Sequence, residues 1–314
     1  MPTAATITPP TKPAAKRAAL ENARSLLGHV LKSAKRQLVN QMDDPTLPPL
    51  SAQMSDPATL KKMVTIANHD SVRERISQIY LAALKRCLVT IHAETLHRLN
   101  GSSVSLVKNT APAAADFPFN LGNFKKMFFA EMRDAGEEAL QESGESRAAE
   151  LGLDEDQFVT SHGVAQKFLI DRENKLKDVP QEIYDQMKAS LEEGSKAGET
   201  EKQLSARVAG ALGDIEDGRA QTIARTETLS AYGTASQGAI TQAGFTFKSW
   251  LTADDGKVRS SHQECQDQGA IPVDESFTNG LDYPGDPEGE ADEVINCRCV
   301  LQAEEKPEGE EDDE

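Results

Sequence analysis

The sequence predicts an α+β protein, in which a predominantly helical N-terminal region is followed by a C-terminal module of a long helix and a small antiparallel sheet. Apolar residues recur every three or four positions through most of the first 243 residues. Only 5% of the residues are aromatic and 27% are charged, which favours helices with solvated faces. After Gly244 the pattern changes to alternation, which indicates strands. At 314 residues, the chain is long enough for about two domains.

The N-terminal region, residues 1–105, is predicted to hold two helices after a disordered arm. Residues 1–13 contain four prolines among small polar residues, which is typical of disorder. Helical spacing predicts the first helix over about 14–41. An Asp-Pro pair predicts the start of the second, over about 57–99, and because this is long for a globular helix we expect a break near 68–70.

A linker and a helical middle region come next. Residues 106–120 belong to a segment rich in Ser, Ala and Pro and are predicted to be the linker. The middle region, residues 121–199, contains three helical patterns, over about 121–142, 154–177 and 180–193.

The C-terminal module, residues 200–302, is predicted to begin with two helices. Thr200 and Gln203 have the spacing of a capping box, and the helix they open is expected to end near Gly210 or Gly213. A longer helix over about 219–243 is rich in Ala, Ser, Thr and Gly, which provides a surface for close packing.

The sheet is predicted from three short segments. Phe245 to Leu251 alternates and contains aromatics, so it is assigned as a strand. Asp255-Gly256 is assigned as a hairpin turn, with 257–259 returning as the partner strand. Residues 283–287 form a turn that two prolines fix, and 294–301 is assigned as a final strand.

The charge is distributed unevenly, which bears on partners. The net charge is −17, made of +7 over residues 1–100 and −24 over the rest, including a predicted disordered acidic tail at 303–314. The acidic part would repel nucleic-acid phosphates, so protein partners are expected, while contact of the basic helix 14–41 with DNA stays open. No apolar run is long enough to span a membrane and no signal peptide is recognisable, so a cytoplasmic protein is expected.

One histidine and three of the four cysteines suggest a metal site. Imidazole and thiolates suit tetrahedral zinc, and a fold that brings the two pairs together would provide four ligands, which are His262, Cys265, Cys297 and Cys299. The Cys-x-Cys spacing is tighter than usual. The alternatives are that these cysteines are small core residues, or that Cys265 forms a disulfide with one of the others outside the cell.

Five further residues are predicted to form a structural network. Charges inside a small domain must be paired, so a buried polar network is expected to pin helix 219–243 against the hairpin, with Trp250 in the core. Its charged members are Arg225, Glu227, Asp255 and Arg259. The rival hypothesis is a zinc-dependent or nucleotide-directed enzyme that uses Arg225, Glu227 and His262. However, the sequence contains no Gly-rich phosphate loop, nucleophile elbow or HExxH motif.

Several short motifs occur in an order that resembles a known family. They are IARTE (223–227), KxW (248–250), DxxVRxxH (255–262), YPGDP (283–287) and NCRC (296–299). Over about residues 200–302 this order is similar to the phage head morphogenesis family of F-type minor head proteins. The resemblance implies a minor capsid protein of a tailed bacteriophage that associates with the portal protein and other capsid proteins and acts in head assembly or DNA ejection. It also implies a location in the virion, and in the host cytoplasm during assembly, and no catalytic reaction.

Overall fold

The computed structural model describes residues 57–101, 118–153, 162–253 and 256–305. The predictions for the arm 1–13, the helix 14–41, Asp255 and nearly all of the linker and the acidic tail fall outside these residues. The chain divides into two compact units, the first formed by residues up to Val72 with 253–257, and the second by 73–252 with 258 onward. All the contacts discussed below lie within the second unit.

The structure is mainly helical, as predicted, and carries one small sheet. The helices are α1 (Pro57–Gly101), α2 (Leu121–Glu150), α3 (His162–Leu176), α4 (Val179–Lys196), α5 (Glu201–Asp214), α6 (Gln221–Gln242), α7 (Ser260–Asp267) and α8 (Ala291–Val294). The strands are β1 (Phe247–Leu251), β2 (Ile271–Pro272) and β3 (Val300–Glu304). The predicted α+β class is confirmed. Among the described residues, no helix is long and apolar enough to cross a membrane.

Helix α1 runs without interruption, so the predicted break near residues 68–70 is wrong. Buried positions continue at helical spacing through this point, from Ile66 and His69 to Arg73 and Ile76. The periodic burial maintains the helix, even though its length is unusual for a globular protein.

Helix α5 ends at Asp214, next to Gly213 as predicted, although the helical backbone continues beyond it. The capping box is present, because the backbone N–H of Gln203 donates to Thr200 Oγ1 at 3.4 Å and the Thr200 N–H donates to Gln203 Oε1 at 2.9 Å. From Asp214 the chain passes through a π-helical turn, Ile215–Ala220, directly into α6. Glycine weakens a helix interior by only about 1 kcal/mol, which tertiary packing can offset.

The sheet has the order β2–β1–β3, and both pairs are antiparallel. Strand β1 pairs Lys248 with Ile271 on one side and Trp250 with Leu301 on the other. The predicted hairpin is therefore wrong, since residues 257–259 are not a strand and both partners of β1 come from more distant segments. The predicted final strand begins later than expected, at Val300, because residues 295–299 form a turn and loop.

Helix α6 packs against α2 and against the turn at 283–287. The predicted turn is present, with the Asp286 N–H donating to the Tyr283 carbonyl at 3.1 Å. A Cβ atom on Gly233 would lie 2.3 Å from the Pro284 carbonyl oxygen, so glycine is required at this approach. The core between α6, the sheet and α7 contains Leu229, Ile240, Trp250, Cys265, Ile271, Phe277, Leu281, Val294, Cys297, Cys299 and Leu301.

Candidate metal centre

His262 lies in the first turn of α7 and is almost completely buried, with 1% of its surface exposed. Its ring packs edge-on against Trp250, with 5.0 Å between the ring centroids, and Trp250 packs in the same way against Phe277 at 5.2 Å. Trp250 is thus a core residue, as predicted. Its indole N–H has no hydrogen-bond partner among the described residues. The Trp250 ring, which Phe277 supports, restricts the orientation of the imidazole.

A tight turn delivers Cys297 to the imidazole. Ile295 has φ −64° and ψ 129°, Asn296 has φ 56°, and the Cys297 N–H points to the Val294 carbonyl at 3.3 Å, which together describe a type II turn. Asn296 tolerates the left-handed conformation better than most residues, which explains its place here. The Cys299 N–H then donates to Cys297 Sγ at 3.4 Å, so the backbone of the Cys-x-Cys segment turns toward the Cys297 sulfur.

The two sulfurs converge on one nitrogen of the imidazole. His262 Nδ1 lies 3.5 Å from Cys297 Sγ and 3.4 Å from Cys299 Sγ, and the three atoms lie within 4.8 Å of one another. Metal–sulfur and metal–nitrogen bonds of zinc at a tetrahedral angle place a sulfur and a nitrogen about 3.6 Å apart. The observed spacing therefore already matches two edges of a zinc tetrahedron, and the cluster could hold a metal ion.

A carboxylate orients the other side of the ring. Glu293 Oε2 lies 2.9 Å from His262 Nε2. Ser261 Oγ and Asn279 Nδ2 also donate to this carboxylate, at 2.9 and 3.2 Å. Burial opposes ionisation of Glu293, but the hydrogen bonds from Ser261 and Asn279 prevail and lower its pKa. An ionised Glu293 assigns the proton to Nε2 and leaves the Nδ1 lone pair facing the sulfurs, which is the tautomer that a metal requires.

The thiols differ in how readily they ionise. The hydrogen bond between the two sulfurs lowers the pKa of Cys297 and, together with burial, raises that of Cys299. The positive charges of Arg73 and Arg259 also lower the pKa of Cys297. Cys297 is therefore the more acidic of the pair.

Cys265 does not belong to the cluster, which corrects the predicted set of four ligands. It lies one turn after His262 in α7, and its sulfur contacts Thr278 Oγ1 at 3.5 Å. Burial raises the pKa of its thiol. All four cysteines, including Cys87 in α1, are free thiols. The structure brings together three of the four predicted ligands, whereas the Cys265 sulfur packs against Thr278 instead.

Arg259 contacts the loop that carries the cysteines. Its Nη2 atom donates to the Ile295 carbonyl at 2.6 Å, inside the type II turn. Arg259 thus supports the cluster from outside, rather than pairing with Glu227.

The other predicted network residues lie elsewhere. Arg225 is exposed, while Glu227 is 2% exposed and forms a bidentate pair with Arg172 of α3 at 2.5 and 2.8 Å. The expected network of Arg225 with Glu227 is corrected accordingly. This pair, with Tyr80, lines a cavity of about 20 Å³, which holds about one water molecule. The cavity is far too small for a nucleotide.

Glu293 and Asn296 were not singled out from the sequence. Asn296 carried a usable signal, since Asn between apolar residues and a Cys-x-Cys segment is a common turn former. Glu293 carried none, because one carboxylate among many in an acidic region is not distinguishable by pattern.

No curated protein and no solved structure matches the chain. Residues 181–302, which include the three residues of the cluster and Glu293, match the family described as phage Mu protein F like protein, and the predicted resemblance to phage head morphogenesis proteins is confirmed over this part of the chain.

Proposed function

We propose that this protein is a minor head protein of a tailed bacteriophage, which binds the portal protein at the portal vertex and acts in head assembly or DNA ejection. The observation that carries this proposal is the family match over residues 181–302. The helices that precede the module offer long solvated faces for contacts with other head proteins. The protein would work in the host cytoplasm during assembly and then in the virion.

We further propose that the His262–Cys297–Cys299 cluster holds a structural zinc ion. Two thiolates and a neutral imidazole balance the charge of a divalent cation, which allows it to be buried. Sulfur and nitrogen ligands in tetrahedral spacing favour zinc over magnesium or calcium. The three side chains would fill three of the four positions around the ion. The ion would tie α7 to the segment between α8 and β3.

The proposed role is not enzymatic. Glu227, the acidic residue of the 223–227 motif, forms an ion pair with Arg172 in the protein interior. The two ring nitrogens of His262 contact Glu293 on one side and the two cysteines on the other. The residues of the rival enzyme hypothesis therefore have separate partners rather than one shared cleft. Their positions are those of residues that fix elements of the fold.

The test of the head-protein proposal is particle composition together with portal binding. Purified particles are analysed by mass spectrometry, and the tagged full chain is used to capture the portal protein of the same phage from co-expressing cells. We expect the polypeptide in the particles and the portal protein in the captured fraction. Particles without this polypeptide, or a folded chain that leaves the portal protein behind, would overturn the proposal.

A matched variant separates assembly from catalysis. Replacing Arg172 and Glu227 together by Met removes both charges while filling the space that they occupy. We expect this variant to support particle formation as well as wild type does, provided that circular dichroism shows it folded. A folded variant that yields no infectious particles would favour the enzyme hypothesis.

A further inference from the structure

Carbonyls of the segment that carries the cysteines accept hydrogen bonds from two buried arginines of the helical region. Arg73 of α1 donates from Nη1 to the Arg298 carbonyl at 3.2 Å and to the Cys299 carbonyl at 3.3 Å, and from Nη2 to the Arg298 carbonyl at 3.3 Å. Arg147 of α2 donates from Nη2 to the Leu301 carbonyl at 3.2 Å. The peptide groups at and just after Cys299 are thus oriented by residues more than 150 positions away in the sequence.

The side chain of Arg73 is buried and is held in place beside these carbonyls. It is 9% exposed, and its guanidinium lies over the Tyr232 ring of α6, 5.9 Å from the ring centroid. A planar guanidinium that lies near an aromatic ring and donates to two successive carbonyls fixes the two peptide planes that meet at the Cα atom of Cys299, which a flexible ammonium does less well. Those two planes set the direction of the Cys299 side chain.

We infer that Arg73 is a positioning residue for the metal centre, and that metal binding and the docking of residues 73–101 of helix α1 onto the C-terminal module stabilise each other. The inference rests on the proposed zinc site. Its physical basis is thermodynamic linkage. If the hydrogen bonds of Arg73 to the segment raise the affinity of the site for the ion by some factor, the bound ion must raise the equilibrium constant for forming those hydrogen bonds by the same factor. The centre would then join the helical region to the matched module, instead of stabilising the module alone.

The test is cobalt binding to the full chain, with cobalt(II) as a spectroscopic substitute for zinc and zinc competition to obtain affinities. Three variants are compared with wild type: Arg73→Met, Arg73→Lys and Arg75→Met. Arg75 is the matched control because it lies on the exposed side of the same helix, where it pairs with Glu142 at 2.8 Å. We expect Arg73→Met to bind metal ~10- to 100-fold more weakly, as outer residues of metal sites do, with Arg73→Lys between and Arg75→Met unchanged.

A second readout distinguishes positioning from a general loss of stability. At saturating cobalt, the visible spectrum reports the coordination geometry, and we expect it to change in Arg73→Met but not in Arg75→Met. If Arg73→Met does not fold, Arg73→Lys decides by the same two measurements. A wild-type chain that binds no cobalt or zinc would overturn the proposed zinc site itself. Metal binding with the same affinity and spectrum in wild type and the folded Arg73 variants would overturn the inference alone.

Discussion

Removing the Glu227 carboxylate should destabilise the protein far more than removing the whole ion pair. Glu227 and Arg172 have side chains that are 2% and 9% exposed and form two charge-assisted hydrogen bonds. In Glu227→Ala, the guanidinium stays buried without its partner, which costs about 3–5 kcal/mol. Replacing both residues by Met leaves no buried charge, so that variant should lie within about 1–2 kcal/mol of wild type.

The assay is urea unfolding of the full chain, followed by circular dichroism, with the two single Met variants included to complete a double-mutant cycle. Because each single variant leaves one buried charge unpaired and the double variant leaves none, the coupling free energy between the two positions should be about 4 kcal/mol or more. The exposed neighbour Arg225→Met serves as the control and should change the free energy of unfolding by less than about 0.5 kcal/mol. If Glu227→Ala cost less than about 1 kcal/mol, or if the single costs simply added, the assignment of Glu227 to a buried structural pair would be refuted.

Three further predictions concern substitutions in the C-terminal module. Gly233→Ala should lower the free energy of unfolding by about 1–3 kcal/mol, because the added carbon meets the Pro284 carbonyl. Gly210 has open space around it, so Gly210→Ala should raise the free energy of unfolding by about 0.4–1 kcal/mol. Urea titration measures both effects. Asn296→Ala should cost about 1 kcal/mol or more in thermal unfolding because its φ is 56°, while Asn296→Gly should be nearly neutral. Because the pKa of Glu293 is lowered in the folded protein, its carboxylate contributes stability that is fully present above its ordinary pKa of 4.5 and is lost as the pH falls. Glu293→Gln should therefore make the free energy of unfolding fall less steeply at acid pH. An unchanged decline would contradict this assignment.

The helices could be predicted from the sequence because burial recurs at their own period. Two helix starts could also be predicted, because each depends only on residues that are close in the sequence. They are the capping box at Thr200 and Gln203 and the proline at the start of α1. The continuation of α5 into α6 through a π-helical turn and the pairing of the strands were not readable. Whether the helical backbone continues past a glycine depends on packing. The partners of β1 come from 23 to 57 residues away, so Asp255-Gly256 was a plausible but incorrect hairpin signal.

The site was predictable in its chemistry and not in its geometry. His262, Cys297 and Cys299 are rare residue types in this chain, and their clustering in sequence indicated a ligand set. The exclusion of Cys265 follows from its contact with Thr278, and the roles of Glu293 and Arg73 follow from contacts over 31 and 226 positions. Such contacts leave no periodic pattern and no local motif.

The central claim is that a metal ion at His262, Cys297 and Cys299 organises the C-terminal module. It is tested most directly by native mass spectrometry with elemental analysis of the full chain, purified without chelator from cells grown with added zinc. We expect one zinc ion per chain in wild type, no bound metal in Cys297→Ser, and full retention in Cys87→Ala, whose thiol lies outside the centre. A folded wild-type chain without stoichiometric metal, or a Cys297→Ser chain that keeps its zinc, would contradict the claim.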